Sequence, residues 1–232
     1  MNQIASNLEQ VNARIRRACS ISGRDPTSVK LLAASKRTDA NGVEIAVKSG
    51  HYLFGENRAQ SLRDKYDALK FKCPEAEWHF IGHLQKNKVK YVVGRATMIH
   101  SLDSIDLAKA IVNRIKSQRD AGVLISPLKV LIQVKLGDEA SKTGTPTSKV
   151  IPLSEELMNH PEVKLCGLMN IPPQHGEPKQ WFSQMVELQQ KGLQQGLPFH
   201  ELSMGMSGDL EEAVKAGSTI VRLGTAIFGQ SH

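Results

Sequence analysis

The feature that most restricts how this chain can fold is an alternation. Short apolar, strand-like runs recur along it, each followed by a segment with helical spacing. Lys30 to Lys36 reads as a buried strand, Asn41 to Ser49 as a short helix ending at Gly50, and His51 to Gly55 as a second strand opening into a helix near Asn57. Glu77 to Gly82, Thr97 to Leu102, Leu128 to Leu136 and Val163 to Asn170 continue the series, with helices from Leu84 to Val93, after Asp103 as the expected N-cap, and from Lys149 to Asn159. Trp181 to Gln195 is helical, Phe199 to Met206 a strand and Leu210 to Ala216 a helix. Thr219 to Phe228 closes the series. Helices between strands force parallel pairing. Eight such units, in a chain near the ~250 residues typical of the fold, predict an α/β architecture of (β/α)8 TIM-barrel type, with a doubly wound open sheet as the alternative.

Ahead of the first strand, Ile4, Leu8, Val11, Ile15 and Ala18 fall on one face of a helix over residues 1–22, unlike the continuous apolar core of a signal peptide. No Pro, Gly or Ser tract divides the chain, so one domain is expected over 1–232, with the barrel at 30–229. A hydrophobic content of 40% and a charged content of 23% are those of a globular protein and exclude disordered or collagen-like classes. The net charge of +7 is scattered, with short clusters such as Lys86-Asn87-Lys88-Val89-Lys90, and aromatic residues are few. A nucleic-acid-binding module is therefore the least favoured class, while anionic small molecules remain attractive partners. No run is long and apolar enough to span a membrane. Cys19, Cys73 and Cys166 lie too far apart for a C-x-x-C zinc or disulfide pattern, as expected of a cytoplasmic protein with reduced thiols.

Lys36 ends the run LLAASK, where the first strand gives way to its loop. Barrel chemistry gathers at that edge. If Leu32 and Ala34 alternate inward with Lys36, the amine emerges in the mouth beside small neighbours, and a desolvated amine is suited to attack a carbonyl. Taken alone, Lys36 reads more simply as a snorkelling surface lysine or half of a structural ion pair. The segments SMGMSGD and RLGTAIFG place small residues after strands seven and eight, where barrels commonly bind phosphate. There Ser207 is expected to open a helix, with Gly224 and Thr225 following Arg222. Glycine and serine at strand ends are also ordinary turn residues. An amine facing a phosphate cradle describes a site for pyridoxal 5′-phosphate, whose aldehyde and phosphate arm lie on different sides of the ring.

The stretches VKLLAASK, FGENRAQ, EWHFIGHLQKNK, GLMNIPP, SMGMSGDLEEAV and GSTIVRLGTAIFG, in order across nearly the whole chain, resemble the YggS/PROSC family of pyridoxal-phosphate-binding proteins. The resemblance implies a single barrel like the N-terminal domain of bacterial alanine racemase, a Schiff base on Lys36, and a role in vitamin B6 homeostasis. It also implies that Asn57, Ser207, Arg222, Gly224 and Thr225 surround the cofactor, with His79 and Met206 as further contacts. Arg222 would face the pyridine nitrogen, keep it unprotonated and restrain carbanion chemistry. The chain departs from the family pattern at Arg37-Thr38-Asp39 and at His83, which bears on loop contacts. Expected partners are the cofactor itself and either apo-enzymes that use it or amino acids, with no nucleic acid and no membrane, and a monomer is favoured.

A weak amino-acid racemase or lyase is the enzymatic rival. Racemisation requires acid/base groups on both faces of a substrate, and only Tyr52, Tyr66 and Tyr91 are available as tyrosines. His79 and His83 are too far apart on a strand to share a metal, and no H-E-x-x-H occurs. Gly205-Met206-Ser207-Gly208 lacks the last glycine of a nucleophile elbow. Lys142 is read as a loop residue that could approach the pocket as an auxiliary amine. Trp78 and Trp181 are assigned to the core, and Glu211 and Glu212 to the dipole of a helix N-terminus.

Overall fold

The computed structural model describes residues 2–137, 143–173 and 176–229. Helix α1 (Gln3–Ile21) leads into β1 (Lys30–Ala34), α2 (Ala40–Lys48), β2 (Leu53–Glu56), α3 (Ala59–Leu69) and β3 (Glu77–Phe80). The short α4 (Val89–Val92), β4 (Met98–Leu102), α5 (Ile105–Asp120), β5 (Leu128–Lys135) and the two-residue β6 (Thr145–Pro146) follow. The chain continues through α6 (Thr147–Met158), β7 (Val163–Met169), α7 (Pro178–Gln194), β8 (Glu201–Ser203), α8 (Leu210–Ala216), β9 (Ile220–Leu223) and α9 (Thr225–Phe228). All pairings are parallel. β1 to β5 follow one another, β5 pairs with β7, β7 with β8, β8 with β9, and β9 returns to β1. The ring of eight is closed, which decides for the barrel over the open sheet. β6 hangs on the end of β5 at Val134 and Lys135 and takes no part in the ring.

The pleat fixes which side chains point inward. Leu32 pairs with Arg222 across β1 and β9, so Leu32, Ala34 and Arg222 face the axis while Ala33 and Leu223 face the helices. Leu32, Met98, Leu131, Met169 and Ile220 fill the barrel. Gly55 on β2 is forced by this packing, because a Cβ there would lie 2.1 Å from Leu32 Cδ2. The larger core lies between strands and helices, with Phe54, Trp78 and Phe80 fully buried beneath α2 to α4, and Leu107, Ile111 and Ile115 of α5 against β4 and β5. Trp78 sits in this core and Trp181 is packed against it.

α1 forms as its periodicity predicts, with Leu8, Val11, Ile15, Ala18 and Cys19 buried and the Asn2 side chain accepting from the Ile4 amide. It packs against α8 and α9. α9 has only four residues, and α1 takes the place of the eighth outer helix. Asn7 Nδ2 donates to the Ile227 carbonyl (2.8 Å), and Arg14 donates to both Glu211 carboxylate oxygens (2.8 and 2.9 Å) and to the Ser207 carbonyl (3.2 Å).

Several local expectations are corrected. The N-cap of α5 is Ser104, whose extended backbone lets its Oγ accept from the Leu107 amide, while Asp103 accepts from Ser104 Oγ. The helix expected from Leu84 reduces to a single 3-10 turn and α4. β8 stops at Ser203, because Gly205 turns the chain with φ +95° and a Cβ there would meet Ala213 Cβ at 2.4 Å. Ser207 consequently lies in a loop. α8 spans Leu210–Ala216, the bounds expected from the sequence, with Glu211 and Glu212 in its first turn.

Candidate functional site

At the C-terminal ends of the strands the barrel opens into a cavity of about 300 Å³. Ala34 and Lys36 reach it from β1, Asn57 from β2, Ile81, Gly82 and His83 from beyond β3, and Gln133 from β5. Ile171, Met206, Ser207, Arg222, Gly224 and Thr225 complete the side formed by β7, β8 and β9. Seven of the eight residues singled out in the sequence therefore share one mouth: Lys36, Asn57, Met206, Ser207, Arg222, Gly224 and Thr225. Lys36 lines the cavity but is exposed, so the shelter expected for its amine is not supplied by neighbouring side chains.

What surrounds the base of Lys36 is rigid. The Ser35 amide donates to the Gly55 carbonyl (2.8 Å), and its own carbonyl accepts from Lys65 Nζ (2.6 Å). Lys65 reaches in from α3 and also pairs with Glu56 Oε2 at 3.2 Å. Glu56 is fully buried, and its Oε1 has no hydrogen-bond partner of good geometry among the described residues. Burial pushes its carboxyl above the ordinary range, with Lys65 opposing. Gly82 lies against the next loop so closely that a Cβ would stand 2.0 Å from the Asn57 carbonyl oxygen, which fixes the loop carrying Asn57.

Beside β1 in the ring, the loops after β8 and β9 offer hydrogen-bond donors. The amides of Ser207 and Gly208 after β8, and of Thr225 and Ala226 after β9, have no partner among the described residues. Asp209 Oδ1 accepts from the Met206 amide (2.6 Å), the Gly205 carbonyl accepts from the Arg222 amide (2.9 Å), and Arg14 holds the Ser207 carbonyl. Gly224 passes under β1 with room for little more than hydrogen, since a Cβ would lie 2.9 Å from the Ala34 carbonyl oxygen.

Arg222, on β9 next to β1, lines the same mouth and is 6% exposed. Its Nη1 donates to Ser203 Oγ (2.7 Å) and its Nη2 to the Asn170 carbonyl (2.8 Å). Burial lowers its pKa to about 10, against the favourable charge of Asp209, so it remains a cation at neutral pH. The mouth thus combines a primary amine, a fixed guanidinium and a set of unbonded amides and hydroxyls. That donor set suits a ligand carrying a carbonyl, a ring acceptor and an anionic arm.

His79 does not belong to this group. It lies inside the barrel near the opposite, N-terminal end, 3% exposed, and lines a separate cavity there with Glu77, Lys30 and Glu201. The physical reason is the rise of ~3.3 Å per residue along a strand: His79 and Ile81 share one inward phase, but only Ile81 reaches the mouth. Ile81, Gly82, Gln133, Thr143 and Ile171 were missed, although the period-2 pattern continued from His79 contained Ile81. Lys142 lies outside the described residues. Among the described residues no cluster of three or more His, Cys, Asp or Glu could hold a metal. No helix among them is long and apolar enough to cross a membrane.

The alanine racemase N-terminal domain family matches residues 3–232. The pyridoxal phosphate homeostasis protein of Vibrio cholerae is 40% identical over 99% of this chain and 97% of its own, and that of Escherichia coli K12 is 39% identical over 99% and 97%. The chain belongs to the pyridoxal phosphate homeostasis protein family, built on the alanine racemase N-terminal domain. Among solved structures, PipY of Synechococcus elongatus with pyridoxal phosphate bound has a TM-score of 0.77 at 34% identity, covering 93% of this chain and all of that one. Alanine racemase of Corynebacterium glutamicum, at 15% identity, shares the fold with a TM-score of 0.69 over 97% of this chain and 60% of its own.

Proposed function

We propose that this protein binds pyridoxal 5′-phosphate, holds it as a Schiff base on Lys36 Nζ, and serves vitamin B6 homeostasis in the cytoplasm as a carrier or regulator. The observation that carries the reading is the gathering of Lys36, Arg222 and the free amides of two loops around one cavity, in a chain 34% identical to PipY, whose structure holds the cofactor. When bound, the cofactor supplies an aldehyde that condenses with a primary amine and a ring that withdraws electrons. The chain's own residues would do the rest. Lys36 would provide the amine, Asn57 and Met206 would flank the ring, and Ser207, Gly224 and Thr225 would grip the phosphate through loop amides and hydroxyls. Arg222 would donate toward the pyridine nitrogen. A guanidinium that stays charged at neutral pH gives that nitrogen no proton, which weakens the ring as an electron sink.

A carrier is favoured over a racemase because the described lining of the mouth has no tyrosine to oppose Lys36 across a substrate. The recipients would be apo-enzymes that use the cofactor, or amino acids, and the working unit a monomer. The test is spectroscopic. The purified protein mixed with pyridoxal phosphate should show a Schiff-base absorption that borohydride fixes on Lys36, located by peptide mass mapping, and Lys36→Ala should lack it. Fixation on another lysine would overturn the assignment. Rapid α-proton exchange of amino acids in deuterated water would favour the enzyme, and salt-sensitive RNA retention the nucleic-acid binder.

A further inference from the structure

A line of polar side chains crosses the barrel interior from its N-terminal cavity to Arg222. Glu77 Oε1 lies 3.3 Å from His79 Nε2, His79 Nδ1 lies 2.9 Å from His100 Nε2, and His100 Nδ1 lies 2.8 Å from Ser203 Oγ. Arg222 Nη1 ends the line on the same Ser203 oxygen at 2.7 Å. His100 and Ser203 are fully buried. These residues come from β3, β4, β8 and β9, all on inward positions, in a space otherwise filled by aliphatic side chains and methionines. A bare structural role would be met more cheaply by apolar residues of similar size.

We propose that Ser203, His100 and His79 are positioning residues: a hydrogen-bond line with a fixed direction that orients Arg222 and makes it responsive to protonation at the far end of the barrel. The direction follows from donor counting. A guanidinium only donates, so Ser203 Oγ accepts from Arg222 and has its own hydrogen for His100 Nδ1. Neutral His100 then carries its proton on Nε2 and donates it to His79 Nδ1. Neutral His79 carries its proton on Nε2 and donates to Glu77, which as a carboxylate only accepts. Every hydrogen finds an acceptor. The opposite direction would set a bare His79 Nε2 against a bare carboxylate oxygen, unless His79 carried a second proton. That second proton would reverse the line, so that His100 Nδ1–H and Arg222 both point at Ser203 Oγ and the serine hydrogen must leave for another acceptor.

The surroundings hold His79 neutral at neutral pH. Burial lowers its pKa, Lys129 on β5 and Lys30 on β1 add to this, and Glu77 opposes. His100 is pushed far lower by burial, His79 and Arg222. On the β8 side Glu201 is held by Lys30 (2.5 Å) and Thr219, and His200 lines the cavity beside it. β7 contributes Lys164 and Cys166 to the cavity, and β2 only Leu53. Protons therefore enter from this cavity, where the Glu77 side chain is 45% exposed.

The inference rests on the assignment of Arg222 to the cofactor, but its first test needs no cofactor. Nitrogen-15 spectra of ligand-free protein labelled at histidine, with signals assigned through His79→Gln and His100→Gln, should show both rings protonated only on Nε2 at neutral pH. A proton on Nδ1 of either ring would overturn the proposal. In the second test, Ser203→Ala should weaken pyridoxal phosphate binding by about 2- to 12-fold, the equivalent of one hydrogen bond, and Ser203→Thr should restore it. Native affinity should fall on acidification from pH 8 to pH 5 more steeply than in His79→Gln, which keeps the hydrogen bonds and does not titrate. Equal slopes in the two proteins would refute the line as a route for protonation. Loss of binding in native protein at every pH would count against the cofactor site instead, leaving the histidine spectra to decide the line.

Discussion

Replacing Lys65 with methionine tests the support beneath Lys36. The Glu56 carboxylate is 1% exposed at its side chain and Lys65 12%, and the ammonium is the partner of both Glu56 Oε2 and the Ser35 carbonyl. Breaking a buried pair from one side typically costs about 3–5 kcal/mol, because the remaining charge is left without compensation. Glu56 is worse placed than most, since Oε1 already lacks a partner of good geometry among the described residues. The pH dependence gives the sharper check. Burial raises the Glu56 pKa, and losing Lys65 raises it further. A carboxyl with a raised folded pKa contributes stability below its unfolded value of ~4.3 that disappears as pH rises through the folded value. The deficit of Lys65→Met against native protein should therefore be largest at pH 8 and shrink toward pH 5. Adding Glu56→Gln should recover most of it at pH 8. Urea denaturation followed by circular dichroism at the two pH values measures each quantity. A deficit under about 1 kcal/mol at pH 8, where the pair rule asks for several, or one unchanged at pH 5, would refute the reasoning.

Three further outcomes are expected. Gly82→Ala must push the Asn57 carbonyl aside and should lose about 1–3 kcal/mol in urea denaturation, with weaker pyridoxal phosphate binding in a spectroscopic titration. Leu32→Ala empties the middle of the barrel and should cost about 2–5 kcal/mol by the same denaturation. Arg14→Ala removes an ion pair whose side chains are 38% and 39% exposed, so stability should change by less than about 1 kcal/mol, while the freed Ser207 loop should raise the dissociation constant for pyridoxal phosphate.

The barrel was legible because parallel strands buried on both faces leave unmistakable runs such as LKVLIQVK, and the helix α8 was read with its observed bounds. The location of Lys36 and the glycine loops at the mouth was legible because each directly follows a strand-like run. Depth was not. Alternation places His79 on the inward face and does not say that the mouth begins two residues later at Ile81. Nor does it reveal that Ser203 and His100, on strands far apart in sequence, meet across the axis. The caps misread at Asp103 and Ser207 each have an alternative polar residue close by, Ser104 and Asp209, and backbone angles rather than composition decide between them.

The position of α1 constrains the order of events during synthesis. Its apolar stripe of Leu8, Val11 and Ile15 is made before every strand of the ring, yet the surface it covers, on α8 and α9, follows the eighth of them or comes just before it. Until residues 210–228 emerge, that stripe has no native cover and β1 lacks its neighbour β9. The seam of the ring is thus a late step, and a nascent chain held just short of it should be the form most in need of a chaperone.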